Sequence, residues 1–75
     1  MTGSGSPGSR APWAPDETDV RILGALARGQ TLRAVARSVG LSERTVRRRL
    51  RATAEEIGVE STIEAVVHAV RSGVI

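Results

Sequence analysis

The sequence predicts an all-α fold, a compact four-helix domain of helix-turn-helix type that follows a disordered N-terminal tail. Three observations support this prediction. Four segments repeat apolar residues at helical spacing, and each one starts after an Asp, Ser or Thr and stops at a glycine. The second and third segments are separated only by a tight turn that contains Gly40. The first eleven residues are rich in Gly, Ser and Pro, a composition that cannot offset the entropy of ordering.

Composition narrows the class of protein further. A chain of 75 residues allows one small domain, and we expect residues 1–15 to be a flexible tail or linker and residues 16–75 to fold. The tail is either native or a scar of expression. The absence of cysteine excludes disulfides and thiolate zinc sites, and a single histidine, His68, leaves no metal site or cofactor to expect. No segment resembles a membrane span or a signal peptide, so we expect a cytoplasmic, nucleoid-associated protein.

The first two helices are predicted from their ends. The first spans residues 16–28, because three acidic residues fall in its first turn and Gly29 can end it. Trp13 precedes it, and this side chain either packs back on the helix or stays exposed and mobile. The second spans about residues 32–38, with Thr31 as its N-cap. Gly40 then provides the backbone freedom that a short turn into the third helix needs.

The third helix carries most of the positive charge. It is predicted over residues 43–57, capped by Ser42, with Val46 and Leu50 four positions apart on its inward face. Five arginines occupy residues 44–51 without an interleaved acid. Residues 33–51 hold seven arginines and one acidic residue, a net +6, so the rest of the chain carries −3 to give the overall +3. Such segregation is typical of a surface that binds a polyanion.

The fourth helix is predicted over residues 62–72, because Ser61 and Glu64 form a capping box and Gly73 follows. It is apolar on more than one side, and a helix of this kind is buried against more than one surface. In so small a domain the second surface would most simply be another subunit. The expected interface residues are Ile63, Val67, Val70 and Val74. The alternative is a terminal helix whose valines are loosely exposed.

The arginine-rich third helix indicates binding to double-stranded DNA. An α-helix fits the major groove, and arginine binds guanine edges or phosphates through paired hydrogen bonds. The alternative is a solvated basic face without a partner, as many charged helices have. The run of arginines without an acid between them favours DNA.

Six short motifs carry a resemblance to a known family: Ala27-Arg28-Gly29, Val35-Ala36, Val39-Gly40-Leu41-Ser42, Thr45-Val46-Arg47, Ile57-Gly58-Val59 and Ala65-Val66. Together they resemble the C-terminal DNA-binding domain of LuxR-type transcription regulators, the group of FixJ, NarL and GerE. The resemblance spans about residues 16–75. It implies a four-helix bundle, reading of the major groove by the third helix, and dimerisation through the fourth.

The same resemblance implies roles for individual side chains. Arg47, Arg48 and Arg51 match positions that reach DNA bases. Positions that contact or neighbour phosphates are matched by Thr31, Arg33, Ser42, Arg44, Thr45 and Arg49. The sequence departs from the family at three positions. Arg49 stands where histidine is common, Thr53 where an apolar residue is common, and Glu56 where a basic residue is common. The last departure is expected to weaken one contact to the DNA backbone.

These features favour a sequence-specific transcriptional regulator, or the output domain of one, that binds double-stranded DNA as a homodimer. RNA polymerase is a further candidate partner. The alternatives are a protein-interaction module on a helix-turn-helix scaffold and a non-specific nucleic-acid binder. No catalytic set of side chains and no phosphate-binding glycine loop is present, so we do not expect an enzyme. Nothing in the sequence indicates a membrane or small-molecule partner.

Overall fold

The helices begin and end close to the predicted positions. The computed structural model describes residues 13–75, and within that range it contains four helices and no strand. They are α1 (Glu17–Ala27), α2 (Leu32–Val39), α3 (Glu43–Ile57) and α4 (Thr62–Arg71). The all-α, four-helix prediction is therefore confirmed. Residues 1–12, which hold most of the tail predicted to be disordered, lie outside the described residues.

Each helix starts at a side-chain cap that the sequence predicts. In all four, the N-cap oxygen accepts a hydrogen bond from the backbone N–H three residues later, which satisfies one of the free donors of the first turn. The N-caps are Asp16, Thr31, Ser42 and Ser61, with N···O distances of 2.8 to 3.1 Å. At α4, Ser61 Oγ also donates to Glu64 Oε2 at 3.0 Å, so this pair is linked twice.

The turn between α2 and α3 depends on Gly40. Its φ is +75°, in the left-handed region where a side chain is strained and glycine is not. The following residue, Leu41, donates its N–H to the carbonyl of Ala36 at 3.0 Å, which closes the C-terminus of α2. The chain therefore reverses over a few residues, and α3 packs directly against α2.

The core lies where the four helices meet. Ile22 and Leu23 of α1, Val35 of α2 and Val46 of α3 are its largest fully buried side chains. From α4 the fully buried residues are Ala65 and Ala69. Two methyl groups let α4 approach the bundle closely, with Val66 partly buried beside them. The other large aliphatic side chains of this helix lie outside the core. Ile63, Val67 and Val70 are accordingly 76%, 42% and 53% exposed.

Trp13 packs against the bundle, which decides between the two possibilities for this residue. It is partly buried against the core, and its ring lies 5.5 Å from that of His68 in α4. The hydrophobic contact that precedes α1 therefore reaches across to α4. Its indole Nε1 is buried and has no hydrogen-bond partner among the residues that the structure describes.

Candidate nucleic-acid interface

Four arginines of α3 share one exposed face. Residues along an α-helix are about 100° apart, so the positions of these four fall within an arc of about 100°. All four are exposed and together line a shallow depression, and they define what we call the arginine surface: Arg44, Arg47, Arg48 and Arg51. Val46 and Leu50 are buried on the opposite side of the helix. The packing of α3 therefore turns the arginine surface to solvent.

Internal ion pairs engage this surface only weakly. Arg47 approaches Glu43 one turn earlier, with 4.0 Å between Nη2 and Oε1. Both side chains are exposed, and exposed pairs at this spacing contribute about 0.3–0.5 kcal/mol. The guanidinium of Arg47 therefore stays available to a stronger anion.

The N-termini of α2 and α3 supply hydroxyl groups and free backbone donors. Thr31 Oγ1 accepts from the N–H of Ala34 at 3.1 Å, and Ser42 Oγ accepts from the N–H of Thr45 at 3.1 Å. The Ser42 hydroxyl also donates to Thr45 Oγ1 at 2.9 Å. Helix N-termini favour anions through their dipole and free N–H groups. Arg33 is exposed in the first turn of α2.

Arg49 differs from the other arginines of α3. Its Nη1 donates to Asp19 Oδ1 at 3.1 Å and to Asp16 Oδ2 at 3.3 Å, both at the start of α1. Hydrogen bonding to Asp19 and then to Asp16 raises the pKa of Arg49. The pKa of Asp16 is lowered, first by the backbone N–H of Asp19 and then by Arg49. We refer to these three residues as the α1–α3 clamp.

The sequence alone did not identify the clamp. A contact between residues 30 and 33 positions apart depends on how α1 crosses α3, which local spacing does not reveal. One sequence signal was available: Asp16 and Asp19 at the start of α1, and one arginine of α3 that falls about 100° from the arginine surface.

Negative charge collects at the other end of α3. Asp19, Arg49, Glu55 and Glu56 line one depression, so the acids of α1 and of the last turn of α3 share a surface. The arginine surface occupies the N-terminal half of the helix. The charge segregation predicted from the sequence is thus a spatial separation, as steering of an anionic partner requires.

Residues 13–75 contain no group of three or more side chains suited to hold a metal ion. None of the helices in this part of the chain has the length and hydrophobicity that a membrane crossing requires.

The apolar residues of α4 form a second surface. Ile63, Val67 and Val70 are exposed, and the first two line a shallow depression together with His68. Val74, predicted to belong to the same surface, is half-buried against the core, and its N–H donates to the carbonyl of Ala69 at 3.0 Å. We call Ile63, Val67 and Val70 the α4 apolar patch.

Comparison with known proteins identifies a family and a relative of this chain. The family model for winged helix-turn-helix DNA-binding domains matches residues 15–52, about half of the chain, which covers α1, α2 and most of α3. The chain is also 39% identical over 59 residues to the transcriptional regulatory protein YdfI of Bacillus subtilis (strain 168). That alignment covers 79% of this chain and 28% of the relative. No solved structure matches the chain significantly.

The family match corrects the resemblance to LuxR-type domains, which are a different family. The motifs that carried the resemblance are helix caps, glycine turns and small residues where helices cross. Any helix-turn-helix needs these features to pack two helices through a short turn, so they do not separate one family from another. The matched segment ends within α3, and no strand of a wing occurs among residues 13–75. The chain belongs to the winged helix-turn-helix DNA-binding family.

Proposed function

We propose that this chain is the DNA-binding part of a sequence-specific transcription regulator and that α3 enters the major groove. The observation that carries the proposal is the arginine surface, four exposed guanidinium groups on one side of a helix whose other side is buried. Family membership supports binding to DNA, and similarity to a transcriptional regulatory protein supports the role in transcription. The chain spans 28% of the length of that relative, so the similarity does not extend to most of the relative. The role of this chain in transcription is therefore part of the proposal.

Within α3 and its neighbours we assign two kinds of contact. Arg47, Arg48 and Arg51 read bases, because their positions cluster on the middle turns of the exposed face. The residues at helix starts hold phosphates, and these are Thr31, Arg33, Ser42, Arg44 and Thr45. Arg49 was expected among them, but its hydrogen bonds to two carboxylates favour a different role for it.

The α4 apolar patch is assigned to contact with a second copy of the chain on DNA. Three aliphatic side chains of one short helix are 42% to 76% exposed, which leaves apolar surface for a partner to cover. A two-fold dimer buries the same patch on both subunits. For a transcription regulator that binds DNA we also propose a DNA-binding domain over residues 16–75 and a cytoplasmic location at the nucleoid. RNA polymerase is proposed as a further partner.

The test is selection of binding sites from a pool of random duplexes. We expect enrichment of one sequence repeated in two half-sites about one helical turn, 10–10.5 base pairs, apart. Binding without enrichment of any sequence would make the protein a non-specific nucleic-acid binder. Absence of binding at low salt, where phosphate contacts are strongest, would favour a protein-interaction module instead.

A further inference from the structure

The α1–α3 clamp joins the helix assigned to DNA reading with the start of the domain. Arg49 stands directly between Arg48 and Leu50 in the sequence, yet its side chain is only 37% exposed, whereas Arg48 is an exposed residue. The side chain of Asp19 is only 18% exposed, so this hydrogen bond is partly shielded from water. Shielding from water strengthens a charge-assisted hydrogen bond and reduces its screening by salt.

The clamp is also continuous with the cap of α1. Asp16 Oδ1 accepts from the backbone N–H of Asp19, and Oδ2 of the same carboxylate accepts from Arg49. Asp19 therefore donates a hydrogen bond to Asp16 through its backbone N–H and accepts one from Arg49 through its side chain. A single guanidinium nitrogen thus links α3 to the capped first turn of α1, in addition to the packing of the two helices in the core.

Two anchors fix the rotation of α3 about its own axis. Val46 and Leu50 seat one side of the helix in the core. Arg49 is displaced from Leu50 by one residue, about 100° around the helix, and binds α1. Two anchors at different angles resist rotation, whereas apolar packing alone would permit small adjustments.

We propose that Arg49 is a positioning residue for DNA recognition, which sets the angle at which Arg47, Arg48 and Arg51 meet the base edges. This inference rests on the proposed function, because it requires α3 to read bases. It assigns Arg49 no contact with DNA. Loss of the clamp should therefore reduce discrimination between sequences more than it reduces general affinity for DNA.

Substitution of Asp19 separates this role from a phosphate contact by Arg49. If Arg49 positions α3, Asp19→Asn removes the shorter of its two hydrogen bonds and Arg49→Gln removes both ion pairs, so both variants lower discrimination. If Arg49 binds phosphate, Asp19→Asn frees the guanidinium and should strengthen binding to every duplex. Removal of a negative charge near DNA also raises affinity for all sequences, so the ratio of affinities for a selected and a scrambled duplex is the informative quantity.

The experiment measures that ratio across a salt series for Arg49→Gln, Asp19→Asn, the double variant and Arg49→Lys. Arg21→Gln, which removes an exposed arginine of α1, is the matched control for charge. We expect each single variant to lower the ratio about threefold to tenfold, with no further loss in the double variant, because contacting partners are not additive. Arg49→Lys should restore part of the ratio. The slope of log affinity against log salt should stay unchanged.

Two results would overturn the positioning role. The first is an equal loss on both duplexes for Arg49→Gln with the salt slope reduced by about one, which identifies a phosphate contact. The second is an unchanged ratio with lower melting temperatures, which makes the clamp purely structural. A wild-type protein that does not discriminate between duplexes would instead overturn the proposed function, and the positioning role with it.

Discussion

Asp16 and Arg49 lie 33 positions apart in the chain, and Oδ2 of the aspartate accepts a hydrogen bond from Nη1 of the arginine at 3.3 Å. The second oxygen of the same carboxylate caps α1. One side chain therefore satisfies a free N–H group at the start of α1 and also binds α3 through Arg49. Both interactions are stronger when the carboxyl group of Asp16 is ionised.

The titration of Asp16 should show this double role. Its pKa is lowered from the ordinary value of 3.8, first by the N–H of Asp19 and then by Arg49. A lowered folded pKa means that the ionised form stabilises the fold above that ordinary value, and this contribution is lost as pH falls through the lowered pKa. We expect the carboxyl carbon of Asp16, followed by NMR, to titrate below 3.8.

The same titration in Arg49→Gln provides the control. The midpoint should rise but remain below 3.8, because the backbone hydrogen bond from Asp19 is the larger cause and survives the substitution. A midpoint that does not move would show that Arg49 and Asp16 do not interact in solution.

The turn at Gly40 should be intolerant of a side chain for conformational reasons alone. No atom lies within 4 Å of the position that a Cβ would take, so Gly40→Ala meets no steric clash. Its φ of +75° remains unfavourable for alanine, and we expect a loss of about 1–2 kcal/mol in the free energy of unfolding by urea. Gly40→Asn should lose less, since asparagine tolerates this conformation.

Gly24 is the matched control, a glycine at which we expect alanine to stabilise the domain. It lies inside α1, and an added Cβ would meet only Arg28 Nη1 at 3.5 Å and Ile75 Cγ2 at 3.9 Å, ordinary contact distances. Gly24→Ala should therefore stabilise the domain by about 0.5–1 kcal/mol. Similar losses at both glycines would argue against a conformational cause at Gly40.

Base reading and phosphate binding should respond differently to substitution. Arg48→Ala should relax base preference at one position and cost about 1–3 kcal/mol on the selected duplex, with little effect on a scrambled one. Arg33→Ala should weaken both duplexes alike and lower the salt slope by about one unit. Salt titrations of each variant on both duplexes measure these effects. If both variants lower the affinity for both duplexes equally, α3 binds DNA only through electrostatic contacts and has no sequence preference.

The α4 apolar patch should affect cooperative binding without affecting the fold. Val67→Glu should lower affinity for a duplex with two half-sites by about tenfold, because a two-fold contact places the new charge on both subunits and buries it. Affinity for a single half-site should change little. Ala69→Glu is the matched control on the same helix: its side chain would be fully buried, so it should unfold the domain and abolish both. Equal losses on both duplexes for Val67→Glu would assign Val67 to the core.

The helix boundaries could be predicted because caps and glycine stops are local. Ser42 and Gly58 specify α3 by interactions within three or four residues, and the observed bounds of Glu43–Ile57 match the prediction. The surroundings of individual arginines could be predicted only in part. Spacing places Arg49 off the arginine surface, but its partners become known only from the crossing of α1 and α3.

The inward face of α4 and the family were harder to predict, for two different reasons. Hydrophobicity alone would place valines inward, whereas close packing selects the smaller Ala65 and Ala69. The family could not be separated from its relatives, because caps and a glycine turn reflect helix packing that all helix-turn-helix domains share.

The alanines of α4 also bear on how such a domain can change over time. Its inward side meets the core mainly through the methyl groups of Ala65 and Ala69, with Val66 partly buried beside them. Its outward side carries Ile63, Val67 and Val70, which are exposed. Residues on the outward side can therefore be exchanged with little effect on folding. The outward side of α4 can therefore evolve while the scaffold and the arginine surface stay as they are.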